Sequence, residues 1–142
     1  MAFELANKLA EKEYLPGINM LGYCYDCGIG TDVNEEKAFG LYQKSADLGN
    51  SQGTNNLGCC YENEAGVEVD KQKAFELYQK AANLGSNSAQ YNLASMYECD
   101  NAVEKNIDQA IFWYEKSALQ GNLDAKNKLK SLKSKTNTNN EI

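Results

Sequence analysis

The chain contains no histidine, no arginine and a single proline, Pro16. Without histidine there is no imidazole for a general base, a catalytic triad or a mixed zinc cluster. Without arginine there is no planar guanidinium fork to grip a phosphate. Lysine is also scarce over most of the length, since residues 1 to 125 hold 19 Asp/Glu against 9 Lys. An acidic body of this kind repels polyanions, so nucleic acid is excluded as an expected partner. Only residues 126 to 142, with 5 Lys and 1 Glu, carry the opposite sign. No apolar run reaches the roughly 20 residues that span a bilayer, so membrane insertion is not expected. Glu4, Lys8, Glu11, Lys12 and Glu13 stand where a signal peptide needs an apolar stretch, and the expected location is the cytoplasm.

Other chemistry is missing too. The "GIGT" at 28 to 31 lacks the Lys-Ser/Thr that completes a phosphate loop. Cys24-x-x-Cys27 is half of a metal site with no second pair to finish it. The five cysteines, Cys24, Cys27, Cys59, Cys60 and Cys99, are an odd number without an export signal, which predicts free thiols and no metal or other cofactor. Nothing basic flanks Cys59 and Cys60 to depress a thiolate pKa, which argues against a thiol-redox role. The acidic residues near loops are accounted for by helix starts and solvation, so no catalytic residue is assigned.

What the chain has in abundance is one line, written repeatedly. "AFGLYQKSADLG" at 38 to 49 returns as "AFELYQKAANLG" at 74 to 85 and as "AIFWYEKSALQG" at 110 to 121, with a damaged copy, "AFELANKLAEKE", at 2 to 13. A shift of 36 residues aligns Leu21, Leu57 and Leu93; Tyr25, Tyr61 and Tyr97; and Tyr42, Tyr78 and Tyr114. Such a period marks a stack of supersecondary units. Leu21, Cys24 and Tyr25 fall at i, i+3 and i+4, one face of a first helix, and Leu57, Cys60, Tyr61 and Leu93, Met96, Tyr97 repeat it. Asn34, Asp70 and Asn106 precede a second helix as candidate caps. Gly49, Gly85 and Gly121 stand where a left-handed residue ends it. Tyr42, Tyr78 and Tyr114 recur at core spacing and should fill the stack, with their hydroxyls on polar partners.

The spacing predicts an all-α domain over 1–134. It comprises a half unit at 2–15, full units at 18–53, 54–89 and 90–125, and a capping helix at 123–134, followed by a disordered polar tail at 135–142. In the cap Lys133 takes the Tyr column, which turns a wet face outward at the end of the stack.

The segments "LGYCYDCGIGTDVNEEKAFGLYQKSADLG" and "LGCCYENEAGVEVDKQKAFELYQKAANLG" resemble Sel1-like repeats, relatives of the tetratricopeptide repeat. The resemblance implies an α/α right-handed superhelix of helix-turn-helix repeats that acts as an adaptor or scaffold. The third unit departs from the pattern, with Ala94 after Leu93 and a loop, "CDNAVEKN", that has lost its glycines and is expected to take a different shape. A secreted, cysteine-rich branch of the family is described as binding or hydrolysing β-lactams, which supplies an alternative reading as a small hydrolase. That branch pairs cysteines at the columns held here by Ala46 with Gly53, Ala82 with Ala89, and Ala118 with Ala125. None is Cys, so the activity does not carry over.

Stacked helix pairs curve, and in related repeats the first helices line the concave face. The expected partner-binding residues there are Asn19, Tyr23 and Asp26 in unit one, Asn55, Asn56, Cys59 and Glu62 in unit two, and Tyr91, Asn92, Ser95 and Glu98 in unit three. Asp26, Glu62 and Glu98 read as a line of negative charge suited to a protein or peptide segment carrying Lys or Arg. Trp113 and Phe112 break the repeat and are expected to pack locally against the terminal helix.

Overall fold

The computed structural model describes residues 2–99 and 101–140. Among the described residues there are eight helices and no strand: α1 (Ala2–Glu11), α2 (Leu15–Cys27), α3 (Glu35–Asp47), α4 (Ser51–Asn63), α5 (Lys71–Asn83), α6 (Asn87–Glu98), α7 (Ile107–Leu119) and α8 (Leu123–Asn140). Each helix packs chiefly on the one before it and the one after it. The result is a helical solenoid of paired helices, with α1 a lone second helix and α8 a lone first helix. First helices start at Leu15, Ser51 and Asn87, three residues before the units read from the sequence at 18, 54 and 90, and the last starts at Leu123.

Side chains set the helix boundaries. Asn34, Asp70 and Asn106 accept hydrogen bonds from the backbone N–H of Lys37, Lys73 and Gln109 at 3.1, 3.0 and 3.1 Å, and so cap α3, α5 and α7. A second series caps the first helices, with Asn50, Ser86 and Asn122 accepting from Gly53, Ala89 and Ala125. Every second helix ends in a left-handed residue: Gly49, Gly85 and Gly121 at φ of 84°, 98° and 97°, and Glu13 at 57° in the damaged first copy. Glycine carries no Cβ penalty in that conformation, which is why it holds three of the four positions.

Packing repeats with the same register. The Phe3, Phe39 and Phe75 rings stand edge-on to Tyr25, Tyr61 and Tyr97 at centroid distances of 5.5, 5.5 and 5.7 Å. Edge-to-face pairs of this kind contribute about 0.5–1.5 kcal/mol each beyond the area they bury. The next pair would join Ile111 to Lys133, so both partners lose their rings together at the cap. Trp113 is buried in the core cluster that spans α5 to α8, and Phe112 stays half exposed with its ring edge-on to Trp113.

Two expectations are corrected. Helix α8 continues to Asn140 through the segment read as a disordered tail, because no glycine or proline interrupts it after Leu123; residues 141 and 142 lie outside the described residues. The third loop, despite losing its glycines, keeps the shape of the others at the column of Gly30 and Gly66, whose φ values are 72° and 77°. Ala102 takes that place at φ 65°, a conformation that costs an L-residue about 1–2 kcal/mol. The substitution Ala102→Gly should therefore raise stability by about 0.5–1 kcal/mol, after allowing for the extra freedom glycine gives the unfolded chain. Urea unfolding followed by circular dichroism measures it, and a lower midpoint would show that the loop is not strained.

Candidate functional site

The face presented by α2, α4 and α6 carries the residues singled out from the sequence, and the second helices decide what each is free to do. Tyr42, Tyr78 and Tyr114, on α3, α5 and α7, are 3%, 0% and 0% exposed. Their rings lie against the first helix of their own unit. A Cβ built on Gly22 would stand 2.7 Å from the Tyr42 ring, and one on Gly58 would stand 2.8 Å from the Tyr78 ring. Each ring thus slides over its helix and brings its hydroxyl to the face.

There the hydroxyls meet the acidic column. Tyr78 donates to Glu62 at 2.8 Å and Tyr114 donates to Glu98 at 2.6 Å. Glu62 also accepts from the Asn101 amide at 3.3 Å, and Glu98 lies 3.7 Å from the Lys128 ammonium. Two members of the expected line of free charge are therefore engaged inside the protein. A buried phenol needs an acceptor, and a carboxylate is a strong one. Unit one differs. Asp26 is one methylene shorter, and among the described residues the Tyr42 hydroxyl has no hydrogen-bond partner.

The amide columns follow the same division. Asn19 donates to the Asn50 side chain at 2.9 Å, and Asn92 donates to Asn55 at 3.0 Å. Asn55 is 4% exposed, so it joins α4 to α6 and is not the free surface group read from the sequence. Helical spacing alone put it on the outward column; the close approach of α6 buries it. Tyr91 turns its ring onto Tyr114 at 5.4 Å. Cys59 accepts a weak bond from Tyr78 at 3.4 Å. Tyr23, 55% exposed, is the most open of the set, and Asn56 and Ser95 are half-buried.

Tyr23, Asp26, Asn56 and Cys59 come together in one cavity of about 370 Å³ between α2, α3 and α4, completed by Glu35, Tyr42, Cys60, Asn63 and Ala65. A more open groove of about 900 Å³ runs along the loops, lined by Glu35, Glu36, Glu64 and Glu68 with Val33, Asn34, Gly66 and Val67. It holds no buried polar side chain, and we take the smaller cavity as the site. Glu35, at the first position of α3, was missed from the sequence; its column next to a cap marks it as a helix start and gives no sign that it lines a cavity with residues of α2 and α4. The five cysteines are free, and among the described residues no group of three or more Cys, Asp or Glu is placed to hold a metal. No helix among the described residues is long and apolar enough to cross a membrane.

The family model described as Sel1 repeat matches residues 15–50, 51–86 and 87–122. Among solved structures, the chain is similar to a protective antigen of uropathogenic Escherichia coli strains displaying an SLR fold, with 32% identity and a TM-score of 0.85 over 92% of this chain and 28% of that one. It is similar to a Sel1 repeat protein from Oxalobacter formigenes with 30% identity and a TM-score of 0.86, over 89% of this chain and 51% of the other. Helicobacter pylori cysteine rich protein B shares 26% identity and a TM-score of 0.71, over 89% of this chain and 96% of its own. The chain thus spans under a third of the first of these structures and about half of the second. No curated protein matches.

The unequal tyrosine bonds lead to a stability prediction. Glu98→Ala strands the Tyr114 hydroxyl and should cost about 1.5–3 kcal/mol, whereas Asp26→Ala breaks no hydrogen bond and should stay within about 0.5 kcal/mol of the parent. Chemical denaturation of the two variants side by side checks this, and equal losses would remove the distinction between units.

A pH dependence follows from the same burial. Desolvation, followed by the charge of Asp26, pushes the Cys60 thiol up to about 12 from 9.0. Burial raises Cys59 as well, partly opposed by the hydrogen bond from Tyr78. The Tyr42, Tyr78 and Tyr114 hydroxyls are all raised above 10.0, burial being the first cause in each. These acids lose their protons in the unfolded chain before they do so in the fold. Their contribution is complete below the unfolded values and is lost as pH rises through the folded ones. The urea midpoint should fall steadily above about pH 9; a midpoint unchanged from pH 8 to 11 would contradict the assignment.

Proposed function

The chain belongs to the Sel1 repeat family, and from that premise we propose that it works as an adaptor whose α2–α4–α6 face is concave and holds an extended segment of a partner protein. Sel1 repeats build protein-interaction scaffolds. The observation that carries the reading is the cavity of about 370 Å³ where Tyr23, Asp26, Asn56 and Cys59 converge from neighbouring units. It offers an exposed ring, a carboxylate and a side-chain amide that both donates and accepts, the groups that hold a peptide backbone and an adjoining side chain. The acidic body selects segments carrying Lys or Arg, chiefly by steering their approach. Of the residues proposed from the sequence, Tyr23, Asp26, Asn56 and Ser95 keep partner-facing roles in this reading. Glu62, Glu98, Asn55 and Asn92 support the face from within through the bonds described above, as do Asn19, Tyr91 and Cys59.

Arrays of immobilised peptides, graded in Lys and Arg content, test the proposal. The chain should retain basic peptides, with retention falling as salt rises. A Tyr23→Ala/Asn56→Ala/Ser95→Ala variant of unchanged helicity should lose about tenfold or more in affinity. Retention that ignores both peptide charge and the triple substitution would overturn the reading.

A further inference from the structure

Within this face, and resting on the reading of it as a peptide-binding surface, we infer that the cavity of unit one is a receptor for a single lysine side chain of the partner. The reason is a break in an otherwise regular device. Units two and three close the tyrosine hydroxyl onto a glutamate, Tyr78 on Glu62 at 2.8 Å and Tyr114 on Glu98 at 2.6 Å. Unit one places an aspartate in that column, and the bond to Tyr42 is not made. Tyr42 is 3% exposed and lines the cavity, so a buried ring presents a phenol oxygen that has no hydrogen-bond partner among the described residues. Asp26 from α2 and Glu35 from the start of α3 line the same space.

An ammonium fits what these groups offer. It has three donors and no acceptor, and the cavity supplies three oxygen-bearing groups on separate positions: the Asp26 carboxylate, the Glu35 carboxylate and the Tyr42 hydroxyl accepting through its lone pairs. A guanidinium delivers its donors in one plane and pairs best with a single carboxylate in bidentate fashion, which this dispersed arrangement does not favour. The exposed Tyr23 ring at the mouth gives the four-carbon stem an apolar surface to lie on. The cavity's two thiols, Cys59 and Cys60, add no charge, because burial holds both protonated. One methylene therefore separates a structural unit from a binding unit. Glutamate reaches the tyrosine and closes the site; aspartate falls short and leaves room for a ligand's ammonium.

The test uses small probes and the full chain. N-acetyl-lysinamide, N-acetyl-argininamide and N-acetyl-norleucinamide are titrated into isotope-labelled protein, and backbone amide shifts are followed by NMR. The lysine probe should give saturable shifts at Tyr23, Asp26, Asn56 and Cys59 with an affinity on the order of millimolar, as suits one side chain. The arginine probe should bind several-fold more weakly and norleucine not at all. Asp26→Asn removes a charged partner and should weaken the lysine probe by about tenfold. Asp26→Glu keeps the charge yet should also abolish binding, because the longer carboxylate now takes the Tyr42 hydroxyl as its counterparts do. Tyr42→Phe, which leaves the ring to fill the core, should weaken binding several-fold in an otherwise unchanged spectrum. Lysine binding that survives Asp26→Glu undiminished would overturn the inference by showing that charge alone is read. Absence of saturable shifts would overturn it as well. In either case, retention of basic peptides on the arrays would leave the broader reading of the face standing, and failure of both experiments would remove the two together.

Discussion

A tyrosine ring can lie close against a helix only where that helix carries nothing larger than glycine or alanine at the point of contact. Gly22 and Gly58 provide that clearance for Tyr42 and Tyr78, with ring atoms closer than any Cβ would permit. The third unit manages with Ala94, itself fully buried beside Tyr114. These rings are among the largest fully or nearly fully buried side chains, and burying one is worth roughly 1.5–3 kcal/mol. The contact sets how closely the two helices of a unit approach. It thereby fixes where the next first helix can sit, since every helix packs mainly on its sequence neighbours.

The same fit creates a polar problem whose solution shapes the surface. A phenol carried into the core on an apolar ring ends in a hydroxyl that must find a partner or lose the hydrogen bond it had with water. Glu62 and Glu98 are the partners in units two and three, so residues that look like free surface charge in fact complete the core. The amides behave alike. Asn19 reinforces the cap of α4 through Asn50, and Asn55 links α4 to α6 through Asn92. Unit one is the exception: Asp26 does not reach Tyr42, and the carboxylate-bearing residue and the tyrosine both line the cavity there.

Much of the fold was legible in the chain because a solenoid is nearly one-dimensional. A period of 36 residues, an Asn or Asp before each second helix and a glycine after it suffice to place three full helix pairs, since each contact is made with a neighbour in sequence. The third loop departs from its sequence for a physical reason: the loss of its glycines predicts a change of shape, yet Ala102 takes a φ of 65° between the flanking helices regardless. Of the candidate site, the columns were read correctly as columns, while the state of each member was not. Asp26, Glu62 and Glu98 share a register, but whether a carboxylate is spent inside or left free turns on a reach of one methylene to a ring sixteen residues away. Both columns were visible in the sequence at constant separation, and their pairing was the signal that went unused.

By itself, then, the sequence determined the helix pairs, the caps and glycine stops of the second helices and the register of the columns, because periodicity, capping and glycine conformation are local properties of the chain. Only the tertiary structure decided which polar groups on that face remain available. Hydrogen bonds such as Tyr114 to Glu98, the burial of Asn55 between helices and the place of Glu35 at a cavity shared with α4 depend on distances between elements. Those distances are set by how rings pack against backbone, and no column of letters records them.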